Sequence, residues 1–224
     1  GANSSATCQA CPMGTYSEGL GNTDVASCLE CPEGTYSSAT GASSSGDCLE
    51  CPAGTFSEVS GLTGIEGCEG CAAGRYSDIT GATSSLDCVS CPLGTYNPSP
   101  GAPSVTDCLE CDVGTYSDTP EATDILACVD CPPGTYQPSL GAGDLSECLT
   151  CPAGSYNEAY GVSECTPCGA GTYDQGTSPD SALTCTDCPQ GRYAVGEGTP
   201  TLTACTACAV GKFGIEGTGW TLEA

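Results

Sequence analysis

The stretch CLECPAGTFSEVSGLTGIEGCEGC, residues 48–71, holds two Cys-x-x-Cys pairs with sixteen residues between them. That spacing suits a four-cysteine zinc ribbon, a dithiol redox centre or a disulfide ladder. The rest of the chain separates the three. First cysteines of such pairs recur at Cys8, Cys28, Cys48, Cys68, Cys88, Cys108, Cys128 and Cys148, then at Cys165, Cys185 and Cys205. Each second cysteine opens one phrase, as in CPEGTYS at 31–37, CPLGTYN at 91–97 and CPQGRYA at 188–194. The period is twenty residues, broken once by a shorter unit, so the chain is eleven copies of one small element.

Zinc would take the pairs two at a time, so loops within sites would differ from linkers between them and the period would double. Here every loop carries one phrase, and there is no histidine. A redox centre needs a βαβ setting and positive charge to favour a thiolate, and this chain has 28 acidic residues against 3 basic ones. Disulfides remain, and a single-repeat period pairs the second cysteine of one doublet with the first of the next. That joins Cys11 to Cys28, Cys31 to Cys48, Cys51 to Cys68, Cys71 to Cys88 and Cys91 to Cys108. It continues with Cys111 to Cys128, Cys131 to Cys148, Cys151 to Cys165, Cys168 to Cys185 and Cys188 to Cys205. Bridging within a doublet would close a tiny loop and constrain little. In this register Cys8 and Cys208 have partners outside residues 1–224.

Composition agrees. The 22 cysteines, 32 glycines and 16 prolines leave too little apolar residue for one ordinary core. They imply a covalently stapled scaffold in an oxidising, extracellular setting. A formal charge of −25 repels nucleic acid and anionic lipid alike. No apolar run approaches the roughly 20 residues of a membrane span, so no membrane contact is expected within these residues. Residues 1–7, GANSSAT, match GATSSLD at 81–87 and read as the tail of a preceding repeat in a longer array. Eight repeats occupy 8–164, the last shortened, and three more divergent ones 165–224.

Within a unit, Cys-Pro-x-Gly suits a type I turn with proline second and glycine fourth. A short Thr-Tyr-Ser strand should come next, then a loop of glycine, serine and threonine with at most one brief strand and almost no helix. One bridge per unit contributes roughly 3 kcal/mol, less than ordering the residues of that unit costs, so the units must also stack. The recurring rings offer that contact: Tyr16, Tyr36, Phe56, Tyr76, Tyr96, Tyr116, Tyr136, Tyr156, Tyr173, Tyr193 and Phe213. Each is expected to pack over its own bridge or its neighbour's and to supply most of the apolar burial. The fold class is therefore small disulfide-rich β repeats in an elongated, solenoid-like rod.

The Cys-Pro-x-Gly-Thr-Tyr-Ser phrase with its Cys-x-x-Cys spacing resembles the ephrin-receptor-like cysteine-rich repeat. It is also similar to the smallest module of tumour necrosis factor receptors. In that module the cysteine of the phrase bonds the next cysteine along, which implies the same pairing. The resemblance covers nearly the whole chain, although Cys71, Cys111, Cys168 and Cys208 lack the proline that usually stands after the cysteine. It implies either a large extracellular surface protein, some of which resemble flagellar-hair subunits, or a receptor ectodomain. No ligand-binding residue carries over.

Acidic residues recur around the cysteine pairs, at Glu30, Asp47, Glu50, Asp87, Asp107, Glu110, Asp130 and Glu147. They read as a solvated, self-repelling edge, with weak calcium collection as the alternative. Asn3-Ser4-Ser5 is an N-glycosylation acceptor, and the hydroxyl-rich loops suit O-linked carbohydrate. The short unit and its Tyr160 suggest a bend or subunit contact, and Trp220 a contact with the next segment of a longer array. No nucleophile is paired with a base and no cofactor motif occurs, so the chain reads as a non-enzyme. The expected function is a secreted structural protein, a stiff rod self-associating into a surface filament. The alternative is the stalk of a receptor that presents a protein-binding face.

Overall fold

The computed structural model describes residues 8–20, 22–174 and 185–212. One folding pattern recurs along them, and the first repeat displays it. The Thr15 amide donates to the Pro12 carbonyl at 3.2 Å, closing a turn in which Gly14 takes φ +78°. Glycine thus stands third, in the left-handed backbone that a type II turn requires, and not fourth in a type I turn as the sequence suggested. Proline opens the turn instead of occupying its second position. The Thr15 hydroxyl donates to the same carbonyl at 2.8 Å, so threonine after the glycine fastens the turn twice.

Strand Thr15–Tyr16 then pairs antiparallel with Leu29–Glu30, Thr15 opposite Glu30 and Tyr16 opposite Leu29. The Cys31 amide continues the ladder by donating to Gly14 O at 2.8 Å. Between the strands the chain makes a wide loop that ends in a single 3-10 turn, Val25–Ser27, just before Cys28. Equivalent turns occupy Ser45–Asp47, Ile65–Gly67, Ser85–Asp87, Val105–Asp107, Ile125–Ala127 and Leu145–Glu147. There is no α-helix among the described residues, as the missing 3.6 period implied.

Two compact units are formed. The first comprises Gly1–Pro92, Tyr96–Leu109 and Pro120–Asp124. Within it each repeat leans on the next through three backbone hydrogen bonds. Gly14 donates to Ser37 O at 2.8 Å, Ser17 to Ala42 O at 3.0 Å, and Gly41 back to Cys11 O at 2.8 Å. Tyr16 thereby bridges Ala42 in parallel, while its other edge keeps the antiparallel partner. The second unit comprises Leu93–Thr95, Glu110–Thr119 and Ile125–Ala224. It repeats the scheme: Gly114 donates to Gln137 O at 2.8 Å, Ser117 to Ala142 O at 2.9 Å, and Gly141 to Cys111 O at 2.9 Å.

The buried apolar set is mostly cysteine and alanine. Cys31, Cys51 and Cys71 are fully enclosed, with Ala42, Ala82 and Ala102 beside them in the first unit. Phe56 is the one buried ring among the described residues, packed with Ala82 and the Cys71 and Cys88 of the neighbouring repeat. The ladder tyrosines are half-buried. Each ring was expected to pack over its own or a neighbour's bridge and to supply most of the apolar burial; Phe56 does pack over Cys71–Cys88, but the tyrosines stay half-buried and most of the buried apolar residues are cysteine and alanine.

Candidate functional site

The feature repeated most faithfully is the disulfide that closes the loop of each repeat, set beside the hydrogen-bonded joint between repeats. Bridges join Cys11–Cys28, Cys31–Cys48, Cys51–Cys68, Cys71–Cys88 and Cys91–Cys108 in the first unit. The second unit holds Cys111–Cys128, Cys131–Cys148, Cys151–Cys165, Cys168–Cys185 and Cys188–Cys205. Their Cα atoms lie 5.6 to 5.9 Å apart, inside the span a disulfide accepts without backbone movement. Cys8 and Cys208 are unpaired among the described residues.

A joint also reaches past its nearest neighbour. A Cβ placed on Gly14 would overlap the Gly61 carbonyl, which belongs to the repeat after next. Gly34 meets Gly81 and Gly54 meets Gly101 in the same way; in the second unit Gly94 meets Gly141 and Gly114 meets Gly161. The glycine of the recurring phrase therefore answers two demands, a left-handed φ and direct backbone approach.

The carboxylates are partners in these joints. Asp47 accepts from the amides of Ser43 (2.7 Å) and Ser44 (3.0 Å), and those backbone bonds hold its pKa below the ordinary aspartate value. Asp87 accepts from the amides of Thr83 (3.0 Å) and Ser84 (3.1 Å), and Asp107 from that of Ser104 alone (3.0 Å), because residue 103 is a proline without an amide. Glu58 reaches into the next repeat, where the Ser85 amide at 3.1 Å, with the Ser85 and Ser84 hydroxyls, depresses its pKa. Glu30 and Glu50 likewise accept from the Ser60 and Thr80 hydroxyls one repeat on. The sequence suggested a merely solvated acidic edge; several of these groups instead cap short turns and tie repeats together. The missed signal was Ser-x-x-Asp, a capping box at Ser44 with Asp47, Ser84 with Asp87 and Ser104 with Asp107.

One joint departs from the pattern. Arg75 replaces the usual threonine, and Glu121 replaces the glycine two repeats on, holding φ 55°. Their side chains form an ion pair, and Glu121 also accepts from the Ser90 hydroxyl at 2.8 Å. These bonds, Ser90 first and Arg75 second, lower the Glu121 pKa. Arg75 further donates to Cys88 O at 2.9 Å, as Arg192 does to Cys205 O at 2.8 Å.

The doublet ladder, the Cys-Pro-x-Gly turn and the half-buried ring form one unit that can be compared with known families. The family model described as tyrosine-protein kinase ephrin type A/B receptor-like matches residues 1–48, 43–88, 58–108, 85–128, 105–148 and 114–158. The chain belongs to this ephrin-receptor-like family. No curated protein matches it. Ephrin-receptor-like repeats with serial disulfides are extracellular, disulfide-rich domains, and this chain is placed with them.

Of the other residues singled out in the ephrin-receptor-like chain, Tyr160 is 67% exposed in the shortened repeat. Asn3, Phe213 and Trp220 lie outside the described residues. Among the described residues there is no group of three or more His, Cys, Asp or Glu placed to hold a metal ion. Nor is any helix among them long and apolar enough to cross a membrane.

Proposed function

We propose that the chain is a segment of an extracellular structural protein whose stacked repeats make a stiff rod, self-associating into a surface filament. The observation that carries this reading is the joint. Each repeat is closed by one disulfide, three backbone hydrogen bonds tie one repeat to the next, and at Gly14, Gly34 and Gly54 glycine backbone presses against the repeat beyond. A chain so linked resists extension, because bridges cap the length of each loop and the close contacts oppose bending. The acidic exterior keeps such a rod hydrated, and glycans at Asn3 and on the hydroxyl-rich loops would add to that coat. The function asks for no catalytic group.

The family description supports a second reading, the stalk of a cell-surface receptor presenting a protein-binding face. Near-uniform repeats favour the rod, since recognition concentrates in a few distinctive residues. Electron microscopy of the native material separates the two. Long thin polymers are the expected image; single particles attached to a membrane would favour the stalk instead.

A further inference from the structure

The residue after the ladder ring is polar and yet buried. It is Ser37, Ser57, Ser77 and Asn97 in the first unit, then Ser117, Gln137 and Asn157 in the second. Most of these side chains hold the backbone two residues on, as serine and asparagine do in tight turns. Ser57 and Ser77 accept from the amides of Val59 and Ile79, and Asn97 and Gln137 from those of Ser99 and Ser139. Asn157 does more. Its Oδ1 accepts from the Ala159 amide at 2.8 Å, while its Nδ2 donates at 2.9 Å to Ala159 O and, in the preceding repeat, to Thr135 O. Ser37 and Ser117 are 1% and 0% exposed, and among the described residues their hydroxyls are the buried side-chain groups without a hydrogen-bond partner.

Leaving such a hydroxyl dry costs more than an ordinary hydrogen bond gains. The joint has room for a partner. Gly14 donates to Ser37 O at 2.8 Å, and Gly114 to Gln137 O and Gly134 to Asn157 O at the same distance. On the other side Ser37 donates to Leu62 O at 3.0 Å, and Gln137 to Val162 O at 3.1 Å. The backbones stand equally far apart whether the side chain is a hydroxyl or a carboxamide, so the space that the Asn157 amide fills is not closed up around Ser37. An amide nitrogen and a water molecule are alike in size, and each donates twice. We infer that a buried water stands beside Ser37 where Asn157 places its Nδ2. It donates to Thr15 O and Ala39 O, the counterparts of Thr135 O and Ala159 O, and accepts from the Ser37 hydroxyl. Three hydrogen bonds are the usual complement of a buried water. Ser117 holds a second one in the other unit. A serine joint of this kind is therefore wet and the Asn157 joint dry, on one backbone geometry.

A crystal structure of the purified chain, at a resolution that shows ordered water, should place one molecule within hydrogen-bond reach of Ser37 Oγ, Thr15 O and Ala39 O, and none beside Asn157 Nδ2. Two variants, each with its disulfide ladder confirmed by non-reducing peptide mapping, read the energetics. Ser37→Asn should expel the water and melt no lower than the wild-type chain, because the amide takes over its bonds. Ser37→Ala should lower the melting temperature by about 2–4 °C, because the water loses its donor. A Ser37 hydroxyl bonded directly to the Ala39 amide with no water beside it overturns the proposal. So does an alanine variant as stable as the wild type, which would mean that the hydroxyl has no partner to lose. An asparagine variant that melts lower overturns it as well, since the space would then not exist. These readouts are independent of whether the native material forms filaments.

Discussion

The glycine of the Cys-Pro-x-Gly phrase carries the sharpest constraint on any single residue. Gly54 has φ +84° and a neighbouring carbonyl where a Cβ would stand, whereas Gly191 has φ +77° and open space. The pair separates two effects that are usually confounded. Gly191→Ala should cost about 1–2 kcal/mol, the left-handed backbone alone. Gly54→Ala should cost clearly more, because backbone must shift to admit the methyl group. Thermal unfolding of the two variants checks the order, and equal losses would mean that the close approach is not a determinant. The capping carboxylates give a second test. Asp47, Glu58, Glu121 and Asp144 all have depressed pKa values, in the case of Asp144 through the Ser146 amide. A depressed folded-state pKa contributes stability that is present above the unfolded value and lost as pH falls through the folded one. The melting temperature should therefore fall on acidification below the ordinary carboxylate range, and Asp47→Asn should flatten part of that fall. A melting temperature that rises with acid would show that relief of like-charge repulsion outweighs the lost caps.

At the level of the element, the turn, strand and bridge of each repeat arise from residues close in sequence, which is why spacing and phrase revealed them. The 3-10 turn did not stand out, since three residues are too few to leave a period and its cap resembles ordinary loop serine. The turn type was misread because proline and glycine fit two placements, and only the hydrogen bond from Thr15 to Pro12 decides between them. Contact between Gly14 and Gly61 was illegible for another reason: it depends on how repeats stack, and glycine in a turn already had a sufficient local explanation. Arg75 and Glu121 are a related case, two departures from the phrase that make sense only together. Their side chains are 33% and 42% exposed, so a double-mutant cycle with Arg75→Thr and Glu121→Gly should give only the small coupling of a solvent-screened surface ion pair. Trypsin offers a second measure. Arg192 and Lys212 are exposed whereas Arg75 is half-buried and held by Glu121, so cuts after Arg192 and Lys212 should precede any cut after Arg75. Cleavage at Arg75 first would show that the pair does not protect its strand.

For the molecule as a whole, contacts to the next repeat and to the one beyond mean that damage should spread further than in an array coupled only to nearest neighbours. The bridge best placed to measure this is Cys71–Cys88, 0% and 4% exposed, because it also receives Phe56 from the preceding repeat. Replacing both cysteines by serine removes the covalent closure of a loop and leaves two hydroxyls against an aromatic ring. The expected loss is about 2–5 kcal/mol. Hydrogen exchange reads where that loss falls. The Gly54 and Ser57 amides, bonded to Ser77 O and Ala82 O inside the altered loop, should exchange much faster. So should Gly81, which donates to Cys51 O, and Gly34 through its approach to Gly81. The Gly14 amide, bonded to Ser37 O and pressed on Gly61, lies before the altered loop and should keep its protection. Acceleration that stops at Gly54 and spares Gly34 would reduce the joint to a nearest-neighbour link. A chain built of such links would bend at each repeat, and the stiffness on which the filament reading depends would have to come from a partner or from glycan.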